Sequence, residues 1–285
     1  MYKVKAAGQD DPHQSPRAAG ATETETTSGA RLRIAAAVQT DVGCVREANE
    51  DAYAHVEPED AGTRATKGTL TVVADGMGGH ACGEVASRMA VEHVTRLYYQ
   101  TEMAAADALK FALEEANRIV HEAALADARY YGMGTTCTAL AIVGDMAVSA
   151  HIGDSRLYML RDAELRLMTE DHSAVMEMVK LGLITPEEAR HHSDKNIILR
   201  ALGTMPTVEA DTWDAPLALR AGDRFLICSD GLYDLVRDAE IQQTLNASAP
   251  DDACASLISL AKERGGLDNI TIAIVSVESD AARDE

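Results

Sequence analysis

Short apolar runs and helix-period stripes follow one another along this chain in an order that bears on its fold. Arg33-Ile34-Ala35-Ala36-Ala37-Val38 and Leu70-Thr71-Val72-Val73-Ala74 are brief apolar segments, the second rich in β-branched residues, and both predict strands. Glu84 to Tyr99 predicts a helix, with Val85, Met89, Val91, Val94 and Leu97 on a broad apolar face. Ala104 to Ala126 predicts a second, with Leu109, Leu113, Ala116, Val120 and Leu125 at helical spacing. Strands follow over Thr135–Val143 and Met146–Ile152, joined by a Gly144-Asp145 hairpin turn, and then over Arg156–Leu160. A polar insert contains Thr185-Pro186-Glu187-Glu188-Ala189, where a threonine N-cap and a first-turn proline open a short helix. Asp223–Cys228 predicts a strand, Ala253–Arg264 a helix and Ile270–Val277 a last strand. This order does not alternate βαβ. It predicts an α+β fold of antiparallel sheets with helices packed outside, layered helices, sheet, sheet, helices.

Residues 1–30 lack any such period. Strings such as Gln9-Asp10-Asp11-Pro12 and Ala21-Thr22-Glu23-Thr24-Glu25-Thr26-Thr27 are too polar to offset their ordering entropy, so a flexible tail is expected there. One domain over about residues 31–280 accounts for the rest, since no later linker divides it. With 46% apolar and 25% charged residues in 285, the body has ample material for a core.

Charge narrows the partners. The chain carries 46 acids against 26 Lys and Arg, a formal net charge of −20. A polyanion would be repelled, which argues against nucleic acid and anionic membrane surfaces. No apolar run reaches the ~18–20 residues that span a bilayer, and Met1–Lys5 is not followed by a signal-like apolar stretch, so a cytoplasmic location is expected. Cys44, Cys82, Cys137, Cys228 and Cys254 are odd in number and form no C-x-x-C pair, as reduced thiols would.

Part of the acidity recurs in one setting. Asp75 follows an apolar strand and precedes Gly76; Asp230 does the same before Gly231; Asp154 follows Gly153 after a strand; Asp268 precedes Asn269 and the last strand; Glu50-Asp51 follows a turn-like stretch. Each Asp-Gly alone is ordinary turn chemistry. Repeated at strand ends, the same acids could be held together, and carboxylates without bases need protons or cations. Oxygen donors without a His or Cys cluster select Mg²⁺ or Mn²⁺ over Zn²⁺. Spacing alone leaves both readings open. Other chemistry is less well supported. Gly76-Met77-Gly78-Gly79-His80 lacks the Lys-Ser/Thr of a P-loop, Asp171-His172-Ser173 is contiguous where a triad is defined by geometry, and His191-His192 sit in the polar insert.

At these residues the chain strongly resembles the metal-dependent protein phosphatases of type 2C in their bacterial form. The matching strings run in family order: Thr40-Asp41-Val42-Gly43, Arg46-Glu47-Ala48-Asn49-Glu50-Asp51, Ala74-Asp75-Gly76-Met77-Gly78-Gly79-His80 and Gly134-Thr135-Thr136. Gly153-Asp154-Ser155-Arg156, Asp171-His172-Ser173, Arg200-Ala201-Leu202-Gly203, Ser229-Asp230-Gly231-Leu232 and Asp268-Asn269-Ile270-Thr271 complete them, over roughly residues 33–278. The resemblance implies a four-layer αββα sandwich. It also implies hydrolysis of phosphoserine and phosphothreonine in proteins with two or three Mn²⁺ or Mg²⁺ ions, by direct attack of a metal-bridging hydroxide. Carried across, Asp75 bridges two metals and Gly76 offers its carbonyl. Asp230 and Asp268 are direct ligands, Asp154 serves a third metal, and Glu50 and Asp51 act through water. Arg46 grips the phosphate and Asn269 contacts the reacting centre. The insert, about 174–197, becomes a flap beside the site. One departure is Met77, where animal members carry a histidine thought to act as general acid; nearby His80 is the candidate in its place. A cognate Ser/Thr kinase is the implied partner. A catalytically silent relative would be expected to have lost some of these acids, and a two-metal nuclease would need the basic surface that the charge denies.

Overall fold

The computed structural model of the protein describes residues 32–78 and 81–279. The expected tail, His80 and the extreme C-terminus lie outside them. The elements run β1 (Leu32–Asp41), β2 (Asp51–Val56), α1 (Ala61–Lys67), β3 (Thr69–Met77), α2 (Ala81–Gln100), α3 (Ala105–Ala126), β4 (Gly134–Thr135), β5 (Cys137–Val143), β6 (Met146–Ile152) and β7 (Arg156–Arg161). They continue with β8 (Glu164–Leu167), α4 (Ala174–Lys180), α5 (Pro186–Arg190), β9 (Asp211–Thr212), β10 (Leu217–Ala218), β11 (Arg224–Cys228), α6 (Asp230–Tyr233), α7 (Asp238–Ala247), α8 (Pro250–Glu263) and β12 (Ile270–Ser279).

Two antiparallel sheets result. One is ordered β1-β12-β11-β7-β8; the other runs β10-β6-β5-β3-β2, with β4 paired to β3 and β9 to β6. Alternation along the central strands explains why they read as unbroken apolar runs. Leu70, Val72 and Ala74 of β3 join α2 and α3 in one core, whereas Val73 turns to the other face. Ile270, Ile272 and Ile274 of β12 pack with Leu257 and Ala261 of α8, whereas Ala273, Val275 and Val277 meet Val73, Leu140 and Ile142 between the sheets. Strands covered on both faces lose the polar half of the period-two pattern. The layers are therefore helices, sheet, sheet, helices, as expected.

Some details differ from the sequence reading. Leu125 is 67% exposed, and Ala124 takes the core position near the end of α3. The single strand expected over Thr135–Val143 breaks at Thr136, whose main-chain N–H donates to the Asp75 carbonyl at 2.9 Å. Thr185 caps α5 with Pro186 in its first turn, as the Thr-Pro opening suggested, and Glu188 completes a capping box. Among the described residues no helix is long and apolar enough to cross a membrane.

Candidate metal centre

Both sheets deliver acids to one cleft. Asp51 and Asp75 stand directly opposite in the β2–β3 ladder, a pairing that like charges destabilise unless something compensates them. From the other sheet, β11 ends at Cys228, Ser229 is the N-cap of α6, and Asp230 is its first residue. Asp268 lies just before β12, and Asp154 lies between β6 and β7. Neither Asp-Gly pair is a turn: Asp75-Gly76 lies inside β3, and Asp230-Gly231 opens a helix. Glycine is required at both because main chain passes close by. A Cβ on Gly76 would come within 2.2 Å of the Gly83 carbonyl oxygen, and one on Gly231 within 2.0 Å of the Asn269 carbonyl oxygen.

A tight polar frame aims these acids. The Asp75 N–H donates to Thr136 Oγ1 at 2.9 Å, and its carbonyl accepts from Thr135 Oγ1 at 2.9 Å. Ser229 Oγ donates to Asp51 Oδ2 at 2.8 Å while accepting from the Thr271 N–H at 3.0 Å. The Asp154 main-chain carbonyl accepts from the Tyr233 hydroxyl at 3.0 Å. Buried Asn269 accepts from the Glu50 N–H at 2.7 Å and donates to the Val42 and Ala48 carbonyls, each at 3.0 Å. Both its amide protons are committed to main chain, so it has no donor left for a phosphate. It staples the 42–50 loop to β12. Arg46, 53% exposed at the rim, reaches Asp268 Oδ2 at 2.6 Å.

The electrostatics are lopsided. Burial lifts Asp75 and Asp230 far above the usual carboxylate range, and their neighbours add to it: Asp51, Asp230, Asp154 and Asp268 around Asp75, and Asp154, Asp234, Asp268 and Asp51 around Asp230. Burial pushes Asp51 up to about 6 despite the opposing hydrogen bonds from Thr271 and Ser229. Burial, with Asp171 beside it, pushes Asp154 up to about 7. One oxygen each of Asp51 and Asp230 (Oδ1 in both) is shut off from solvent without a hydrogen-bond partner. Buried polar atoms are almost always satisfied, so these two oxygens call for a cation or a proton. Among the described residues no three His, Cys, Asp or Glu side chains are drawn into a closed ligand group. The cleft carboxylates repel one another unless a proton or a cation offsets their charge. Their all-oxygen chemistry fits a hard divalent cation.

The structure thus brings Glu50, Asp51, Asp75, Asp154, Asp230 and Asp268 to one cleft with Arg46 at its edge, while His80 is outside the described residues. It also reveals Ser229, Thr136, Thr271 and Tyr233 as framing groups that sequence reasoning did not assign. The Ser229-Asp230-Gly231 and Gly134-Thr135-Thr136 strings carried that signal only in part, because the hydrogen bonds cross between elements far apart in sequence. The insert closes at its base through Ala174 N–H to the Ile197 carbonyl at 2.8 Å. A cavity of about 370 Å³ separates it from Asp154, Asp230 and Tyr233.

A family model described as protein phosphatase 2C matches residues 45–260. The protein phosphatase PhpP of Streptococcus pneumoniae is 39% identical over 248 residues, covering 85% of this chain and 97% of that one. The solved serine/threonine phosphatase of S. agalactiae is 39% identical with a TM-score of 0.78, covering 86% of this chain and 100% of that chain. The catalytic domain of the serine/threonine protein phosphatase PstP, solved in complex with two manganese ions, is 36% identical with a TM-score of 0.75, covering 87% of this chain and 99% of that chain. The chain belongs to the protein phosphatase 2C family, the metal-dependent protein-serine/threonine phosphatases.

Proposed function

We propose that the carboxylate cleft between the sheets is where this protein-serine/threonine phosphatase holds its divalent ions and removes phosphate from phosphoserine and phosphothreonine in proteins. The observation that carries this reading is a cluster of aspartates in which burial raises Asp51, Asp75, Asp154 and Asp230 and the neighbouring acids raise Asp75 and Asp230 further, with the Arg46 guanidinium at the rim. Asp75, Asp230 and Asp268, with the Gly76 carbonyl, would hold two ions, Asp154 a third, and Glu50 and Asp51 would act through water. Mn²⁺ is the ion named for the PstP relative; Mg²⁺ has the same preference for oxygen donors. Bound there, such ions lower the pKa of water and neutralise charge on phosphoryl oxygens.

The chain's own groups do the positioning. Ser229 fixes the Asp51 carboxylate, Thr135 and Thr136 fix the Asp75 main chain, and Tyr233 fixes that of Asp154. Arg46 can turn its planar fork towards two phosphoryl oxygens and orient the ester for in-line displacement. Asn269 is a positioning residue here: it holds the loop that carries Arg46 and Glu50. A Ser/Thr kinase is the activity that must supply the substrate, because the phosphoester has to be made before it can be hydrolysed.

The test is hydrolysis of an aryl phosphate and of phosphothreonine peptides with and without Mn²⁺, beside Asp230→Asn. Activity on both, dependent on Mn²⁺ and reduced at least 10²-fold in the variant, is the expected result, on the scale of losing one electrostatic group at a reacting centre. Full activity in Asp230→Asn would overturn the site, and absence of any metal-dependent hydrolysis would overturn the reading itself. Against a catalytically silent module stands the complete set of six acids.

A further inference from the structure

The Asp171-His172-Ser173 string supplies none of the six acids assigned to the metal, yet it is tied to the loop that carries Asp154. The Gly153 N–H donates to His172 Nδ1 at 3.0 Å, and the His172 N–H donates back to the Gly153 carbonyl at 2.8 Å. Because the first of these needs an unprotonated Nδ1, the proton sits on Nε2, which donates to Asp211 Oδ2 at 3.0 Å. Arg200 holds Asp211 in turn through both carboxylate oxygens, at 2.7 and 3.2 Å. His172 is 3% exposed, and its ring lies against His151.

The clamped loop has no slack on its other side. Gly153 has a φ of +110°, and a Cβ there would sit 2.5 Å from Thr136 Cβ. Thr136 Oγ1 accepts from the Asp75 N–H and shares a 2.7 Å hydrogen bond with Ser155 Oγ. The same three-residue string also roots the insert. The His172 carbonyl accepts from the Leu199 N–H at 2.7 Å, and Ser173 caps α4. Asp171 grips Arg156 at 3.0 and 2.7 Å, and that guanidinium lies 3.8 Å over the ring of Tyr233, the residue bonded to the Asp154 carbonyl.

We propose that His172 is a positioning residue for Asp154, a two-bond clamp at the root of the insert that sets the aim of the Asp154 carboxylate towards a divalent ion. The inference rests on the carboxylate cleft being the metal centre. It makes the seating of the 174–197 insert and the geometry at Asp154 one adjustment, because both hang from residues 171–173.

The test compares His172→Ala, His172→Asn and Asp154→Asn in two readouts: Mn²⁺ titration of the metal-free protein, followed by electron paramagnetic resonance and calorimetry, and hydrogen exchange at the Gly153 amide. An asparagine carbonyl reaches about as far as Nδ1, so it keeps the acceptor for Gly153 while giving up Asp211. The expected result is that His172→Ala weakens by about tenfold the same Mn²⁺ class that Asp154→Asn abolishes, which matches the loss of one hydrogen bond. The Gly153 amide loses protection, the other Mn²⁺ classes stay unchanged, and His172→Asn restores both readouts to within about threefold. The proposal is overturned if His172→Ala binds Mn²⁺ and protects Gly153 as wild type does. It is equally overturned if His172→Asn leaves both defects in place, since the residue would then be a space-filler. Should His172→Ala fail to fold, His172→Asn against His172→Gln decides, because glutamine reaches towards Asp211 and offers Gly153 no acceptor. A wild-type protein that binds no Mn²⁺ would overturn the metal centre instead, an outcome the Gly153 exchange measurement keeps separate.

Discussion

Replacing Asp154 by Asn should stabilise the metal-free protein, by an amount that depends on pH. Burial and Asp171 raise the Asp154 carboxyl from 3.8 to about 7 in the folded state. A carboxyl with a raised folded pKa binds its proton more tightly folded than unfolded, so stability falls as pH rises from about 4 to about 7 and the full loss is felt above that. At about 1.4 kcal/mol per pKa unit, the loss amounts to about 4 kcal/mol at pH 8 and roughly 1 kcal/mol at pH 4.5. A neutral amide of the same shape avoids it. For a domain of this size each kcal/mol moves Tm by about 2–4 °C, so Asp154→Asn should melt on the order of 10 °C higher than wild type at pH 8 in a chelator, and only a few degrees higher at pH 4.5. Calorimetry or fluorescence-detected melting of the two proteins at both pH values reads this directly. Saturating Mn²⁺ should narrow the gap at pH 8, because a bound cation offsets the cost of burying the Asp154 charge and its repulsion from Asp171 in wild type. If the variant melts at or below wild type at pH 8, or if the gap is equal at both pH values, the electrostatic reasoning about the cleft is wrong.

Two further outcomes follow from packing. Gly231→Ala would drive a methyl to within 2.0 Å of the Asn269 carbonyl, which main chain cannot relieve without moving Asp268 and Asn269; a loss of about 1–3 kcal/mol or more in denaturant melts is expected, and an unchanged midpoint would contradict the close approach. Asn269→Leu leaves the Val42 and Ala48 carbonyls and the Glu50 N–H without their partner. These groups are only partly buried, so at about 0.5–1.5 kcal/mol for each lost hydrogen bond the 42–50 segment should lose hydrogen-exchange protection before the sheets do, and protection that persists there would refute the staple.

What could be read from sequence followed how completely each element is buried. β3 and β12 are covered on both faces, so their apolar runs stood out. α2 and α3 are long enough for a helical stripe to emerge. β2, at the edge of its sheet, reads Asp51-Ala52-Tyr53-Ala54-His55-Val56; it alternates, with Ala52 and Ala54 against the core, but alanines are too weakly apolar for the pattern to stand out, and it escaped notice. α7 buries only Ile241 and Leu245, too few to establish a helical repeat. At the candidate site the acids were legible, because aspartates beside glycine recur where apolar segments end. Their local setting was misjudged: Asp75 lies within its strand and Asp230 starts a helix, since the glycines answer to neighbouring main chain and not to turn geometry. The frame around the acids was not legible, because Ser229 meets Asp51 and Asn269 meets Glu50 only once two sheets are assembled. Asn269 shows the difference most clearly, its amide spent on three main-chain groups where a contact with the reacting centre was expected.

The central claim is that the buried carboxylates form the metal centre at which phosphate is released. Anomalous diffraction at the manganese edge, on crystals of active protein grown with Mn²⁺, tests it most directly. Peaks are expected in the cleft in contact with Asp75, Asp230 and Asp268, weakened in Asp230→Asn. Manganese found only elsewhere on the protein, with the cleft empty in crystals whose dissolved contents still hydrolyse phosphothreonine, would contradict it.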